Sequence, residues 1–137
     1  MKALIDLPEN ISRSALMKAI CDILCAEPLV SLKDLCRFKH GNDEHTNGLY
    51  AIYNRRNEIL YVGKVGCGET SAYDRIQSHL SSDTWVDDEG SFRFRQFESL
   101  QEEQLVIAER LAIQYFRPPC NDLVTTQDRI DRWWWVL

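Results

Sequence analysis

The chain has 137 residues, 45% hydrophobic and 27% charged, a balance that supports one packed domain and argues against disorder. Its net charge of −5 excludes a protein whose whole surface attracts nucleic acid, because phosphate binding rests on Lys and Arg displacing counterions. Five irregularly spaced cysteines (Cys21, Cys25, Cys36, Cys67 and Cys120) fit reduced thiols better than a disulfide framework.

No apolar run approaches the roughly 20 residues needed to span a bilayer. The start, Met1 to Asp6, turns acidic without the long apolar core of a signal peptide. A cytoplasmic protein with no membrane association is expected. The first periodic segment covers 12–26, where Ala15, Leu16, Ala19, Ile20, Ile23 and Leu24 follow the spacing of an amphipathic helix. Ser12 or Ser14 can cap it, and Pro28 ends it. A second short helix is expected over Ser31 to Phe38, with Ser31 and Asp34 as a capping box. The polar stretch Gly41 to Asn47 is the natural internal boundary. It divides a helical appendage, 1–40, from a working core at 48–125.

That core opens with Gly48-Leu49-Tyr50 and, beyond a polar turn at Asn54 to Glu58, Tyr61-Val62-Gly63-Lys64. Two β-forming runs about such a turn predict a hairpin that brings two tyrosines together. Gly66-Cys67-Gly68 follows, then a helix from about Ser71 to Leu80. Its apolar side is Ala72, Tyr73, Ile76 and Leu80, with Arg75 and His79 neighbours on another face. The acidic loop Asp83 to Gly90 leads to Ser91-Phe92-Arg93-Phe94-Arg95-Gln96-Phe97, whose alternation predicts a half-buried third strand. Ser99 to Glu102 has capping-box form and opens a long helix to about Phe116, stopped by Arg117-Pro118-Pro119. Residues 126–137 form a tail whose Trp133-Trp134-Trp135 cannot all face one side. That tail is expected to pack on the core or serve a protein partner or homodimer.

Glu109 is the sharpest chemical clue. One turn to either side of it stand Leu105, Val106, Ala112 and Ile113, so its carboxylate projects from the apolar side of the last helix. A charge there is costly unless a cation or several donors meet it. It either reaches solvent or an arginine at the boundary, or it holds a metal. A lone carboxylate suits Mg²⁺, which keeps most of its waters and takes phosphate oxygens.

Taken together, these residues resemble the GIY-YIG nuclease family. Gly48-Leu49-Tyr50 stands for the first motif and Tyr61-Val62-Gly63 for the second, each with one aliphatic exchange. Lys64, Arg75, His79, Glu109 and Asn121 then follow in the family's order, and the resemblance spans roughly 48–122. It implies an α+β domain with a central three-stranded antiparallel sheet flanked by helices. It also implies a metal-dependent endonuclease that hydrolyses DNA phosphodiester bonds with one divalent ion, Mg²⁺ or Mn²⁺.

On that resemblance Glu109 is the metal ligand, Tyr50 or Tyr61 orients or deprotonates the water, and Lys64 and Arg75 neutralise charge. His79 can share the base role, since an imidazole titrates nearer neutrality than a phenol. Asn121 fixes the geometry of the site. The residues leave the base open among these groups. Segment 48–81 sets four basic residues against three acidic ones, a balance of +1, so DNA affinity is expected to be weak and salt-dependent. A catalytically silent module of the same fold, binding nucleic acid or protein, is the competing expectation.

Two other patterns carry less. Gly63-x-x-Gly66-x-Gly68 lacks both the Walker and the dinucleotide fingerprints. Cys21, Cys25, Cys36 and His40 offer zinc-ligand types, but on an amphipathic helix and without knuckle spacing.

Overall fold

Strand β2 (Gly48–Tyr53) is buried at every residue, and the sheet and helices are arranged around it. The computed structural model describes residues 12–38, 45–66 and 70–121. Strand β3 (Ile59–Val65) pairs antiparallel with β2, Tyr50 opposite Gly63 and Ile52 opposite Tyr61. The turn between them is built by Asn54, whose side-chain oxygen accepts from the Arg56 and Glu58 amides at 2.9 and 3.0 Å. Asn57 takes the left-handed conformation there, φ 62°, which asparagine tolerates better than most residues.

On its other side β2 pairs antiparallel with β4 (Ser91–Gln96), Tyr50 opposite Phe94. The sheet has four strands, not the three expected. A two-residue strand β1 (Val30–Ser31) adds to the outer edge of β4, giving the order β1-β4-β2-β3. A strand this short leaves no alternation to read, so its pairing partner alone reveals it. The general class, α+β with an antiparallel sheet and flanking helices, agrees with expectation.

Alternation along β2 divides the core in two. Leu49, Ala51 and Tyr53, with Val62, pack against helix α1 (Arg13–Cys25) and helix α3 (Glu102–Phe116). Tyr50 and Ile52, with Val65, Phe92 and Phe94, pack against helix α2 (Ala72–Ser82) and a 3-10 helix, Leu32–Phe38. The short helix expected at 31–38 is present in 3-10 form, and the Ser31 hydroxyl accepts from Lys33 N at 3.2 Å rather than from Asp34 as a capping box would. Helix α1, capped by Ser12, puts Ile20, Cys21 and Leu24 into the same cluster as α3. Burying each such aliphatic side chain is worth about 1.5–3 kcal/mol. The segment read as an appendage therefore contributes directly to the main core.

Helix α3 begins two residues later than the expected capping box at Ser99 implies. Gln101 is its N-cap, with the Gln101 amide bonded to Gln104 Oε1 at 2.9 Å, which leaves the Glu102 side chain available elsewhere. Arg117, φ 50°, ends the helix in the left-handed conformation just before the two prolines. Among the described residues no helix is long and apolar enough to cross a membrane. The expected features at His40, Cys67, Gly68 and 126–137 lie outside the described residues.

Candidate active site

Both motif glycines are required by close approaches. A Cβ on Gly63 would collide with the ring and hydroxyl of Tyr50, which lies across the strand on that residue. A Cβ on Gly48 would collide with the backbone carbonyl of Arg95 in β4. Gly63 thus makes room for a phenol, and Gly48 for a neighbouring strand.

Tyr50 has no exposed surface. Its hydroxyl meets His79 Nε2 at 2.8 Å. His79 reaches it because α2 presents Ala72, Ile76 and His79 along one stripe, the spacing of a single helix face. Ala72 and Ile76 are buried against the sheet, and the His79 side chain is 14% exposed. So His79 belongs to the packed side of the helix, rather than to the outward face it was expected to share with Arg75. The other ring nitrogen, Nδ1, lies 2.7 Å from Asp83 Oδ2, one turn later at the end of α2.

Tyr61 stands diagonally across the hairpin from Tyr50, ring centroids 6.1 Å apart. It also contacts His79 at 4.5 Å and stacks on Trp85 at 5.3 Å with planes 18° apart. The loop carrying Trp85 is tied down by Asp87. Its carboxylate accepts from the Arg55 backbone amide at 2.9 Å and from the guanidinium at 3.0 and 2.8 Å. Those bonds hold the Asp87 carboxyl well below the usual carboxylate range. Neither Asp83 nor Trp85 was singled out from sequence; the His79–Asp83 spacing of one helical turn was the available signal.

Burial pushes the Tyr50 phenol well above its ordinary range, Tyr61 adds to the effect, and the charge of Arg75 draws it partly back. Burial also raises Tyr61, the Glu109 charge raises it further, and Arg75 opposes both. Arg75 and Glu109 are therefore both electrostatic neighbours of the two phenols, though they come from different helices. Arg75 is exposed and Glu109 half-buried.

The remaining two expected residues do other things in this structure. Lys64 shares the strand face of Leu49, and its ammonium pairs with Glu102 Oε1 at 2.7 Å. Asn121 is buried and bonds twice to Val62, accepting from its amide and donating to its carbonyl, both at 3.0 Å. With Cys120 N donating to Leu60 O at 2.8 Å, it continues the hydrogen bonding of β3 along its outer edge. It steadies the strand that carries Tyr61.

Among the described residues no three His, Cys, Asp or Glu side chains converge as a metal cage. Of the thiols grouped with His40, Cys21 is buried while Cys25 and Cys36 are exposed. A cavity of about 360 Å³ lined by Glu27, Phe38, His45, Phe94, Arg95, Gln96 and Glu98 contains none of the residues of the tyrosine–histidine cluster. The chain matches no known protein-family model, and no curated protein sequence matches it.

Proposed function

We propose that this chain is a GIY-YIG-type endonuclease that hydrolyses DNA phosphodiester bonds with one divalent cation. The observation that carries the reading is the gathering of Tyr50, Tyr61, His79, Arg75 and Glu109, from two strands and two helices, around a pair of phenols. A structural core has little use for a histidine bonded to a buried hydroxyl with an arginine and a carboxylate acting on the same phenol.

The chain's own groups divide the work by accessibility. Tyr61, the less buried phenol, orients the attacking water. Tyr50, closed off behind it, passes a proton to His79 Nε2. The proton lost by water thus ends on an imidazole rather than on a buried phenolate, which the raised Tyr50 makes unfavourable. Arg75, exposed beside the phenols, neutralises the phosphate. Glu109 is the residue that would hold Mg²⁺ or Mn²⁺. A single carboxylate fits an ion that keeps its waters, and a cation there would offset the part of the Tyr61 rise that the Glu109 charge adds to burial. When bound, the ion supplies positive charge to the phosphate and the leaving oxygen.

The test is cleavage of labelled DNAs with Mg²⁺ or Mn²⁺, wild type beside Glu109→Ala. Metal-dependent cutting by the wild type, lost in the variant, is expected. Cutting that survives the substitution would contradict the assignment of Glu109. The second reading is a catalytically silent binding module that a protein partner targets, and the charge pattern favours it. Lys64 is paired with Glu102 and Arg55 with Asp87, so two of the four basic groups in segment 48–81 are already neutralised. No cutting by folded wild type would select that reading. Both readings expect weak, salt-dependent DNA affinity, and tight, salt-insensitive binding to duplex would contradict both.

A further inference from the structure

We propose that Asp83 is a positioning residue that fixes His79 as the Nδ1–H tautomer and so leaves Nε2 bare to accept the Tyr50 hydroxyl. The catalytic consequence rests on the nuclease reading above; the tautomer itself does not.

The argument starts from the two ring nitrogens, each of which has one partner. Nδ1 faces Asp83 Oδ2 at 2.7 Å, and Nε2 faces the Tyr50 hydroxyl at 2.8 Å. An ionised carboxylate can only accept, so Nδ1 must be the donor. A neutral imidazole has one N–H, so Nε2 is then the acceptor and the phenol donates. Free imidazole side chains in water favour the opposite arrangement, with the proton on Nε2. In that form Nε2–H would point at the phenol oxygen, Nδ1 would face a carboxylate with no proton between them, and His79 could take nothing from Tyr50. Asp83 reverses the preference.

The fold makes the contact dependable. Asp83 is the C-cap of α2 and its backbone amide bonds to His79 O at 2.9 Å, so the two residues are fixed one turn apart. Tyr61 and Trp85 flank the ring at 4.5 and 5.4 Å, limiting its rotation. As the Tyr50 proton moves to Nε2, Tyr50 takes one from the Tyr61 hydroxyl hydrogen-bonded to it, and Tyr61 takes one from the water. No buried phenolate is left, the net transfer is from water to His79, and the Asp83 carboxylate stabilises the imidazolium.

The experiment is a ¹⁵N NMR measurement of the His79 ring in its neutral form, in wild type, Asp83→Ala, Asp83→Leu and Asp83→Glu. The expected wild-type spectrum has a protonated, pyrrole-like Nδ1 and a bare, pyridine-like Nε2. Asp83→Ala should move the proton to Nε2, and Asp83→Glu should restore the wild-type pattern in part. If Asp83→Ala fails to fold, the similarly sized Asp83→Leu, which can neither accept nor donate, supplies the comparison. A wild-type proton on Nε2, or the same tautomer in wild type and variant, would overturn the proposal. In cleavage assays Asp83→Ala should lower kcat on the order of 10–100-fold with KM unchanged, the size typical of losing a residue that orients a functional histidine. Equal kcat would overturn the catalytic role. If wild type cuts no DNA, the nuclease reading fails while the ring nitrogen shifts still decide the tautomer.

Discussion

The ring of Tyr50 lies on Gly63, its cross-strand partner, so closely that no side chain fits beneath it. This contact lets a full phenol lie within the hairpin and aims its hydroxyl at His79.

Gly63→Ala should therefore push the Tyr50 ring away from His79. The expected cost is about 1–3 kcal/mol of stability, as for overpacking a filled core. Gly48→Ala should cost more, since its Cβ meets the Arg95 backbone carbonyl, which cannot rotate aside as a side chain can. Urea unfolding midpoints of the two variants against wild type check both the size and the order.

Tyr50→Phe removes the hydroxyl and keeps the ring. The fold should persist, with a loss of about 1 kcal/mol for the missing hydrogen bond. Cleavage should fall by roughly 10²–10⁴-fold if the phenol carries the proton to His79. Single-turnover cleavage, set beside thermal unfolding of the same sample, separates the two effects.

Glu109→Gln removes a charge that raises the Tyr61 phenol. The Tyr61 pKa should drop, though burial keeps it above the ordinary value. Adding Mg²⁺ to wild type should lower it in the same direction, and adding it to Glu109→Gln should do nothing further. A ¹³C NMR titration of the tyrosine ring carbons reads all three cases.

Alkaline pH should destabilise the fold before the phenols of the native state ionise. Burial, followed by the charges of Cys25 and Asp22, pushes the Cys21 thiol from 9.0 up to about 12. Between those values the unfolded chain loses this proton and the native chain keeps it, so stability is intact below the lower value and falls through the higher one. The slope from this thiol is at most about 1.4 kcal/mol per pH unit. Tyr50, Tyr53 and Tyr61, all raised chiefly by burial, add a similar loss beginning near pH 10. Urea midpoints across this range should fall less steeply in Cys21→Ala than in wild type.

Much of this arrangement was legible before any coordinates because periodicity is a local property. Helix α1, the hairpin and its Asn-rich turn, the alternation of β4 and the apolar surroundings of Glu109 can all be read within one or two turns of chain. What escaped depends on contacts between distant segments. Strand β1 exists only because Val30 meets Phe92. Asp83 and Trp85 read as part of an acidic solvent loop, and only Asp87 gripping Arg55 folds that loop back onto Tyr61. The pairing of Lys64 with Glu102 joins residues 38 apart in the chain, so no local pattern reveals it. Asn121 is expected to fix the geometry of the site, but that it does so by committing its amide to both backbone groups of Val62, 59 residues away, is not visible in any local pattern.

That commitment also bears on how copies of the chain behave toward one another. Strand β3 is the outermost strand of the sheet, and an unpaired strand edge is a template on which another chain can extend the sheet. Asn121 and Cys120 occupy Leu60 O and both backbone groups of Val62, three of the positions such a neighbour would need. The short segment after α3 thus acts as a stopper, ending sheet growth at the strand that carries Tyr61 and keeping that strand clear of edge-to-edge polymerisation.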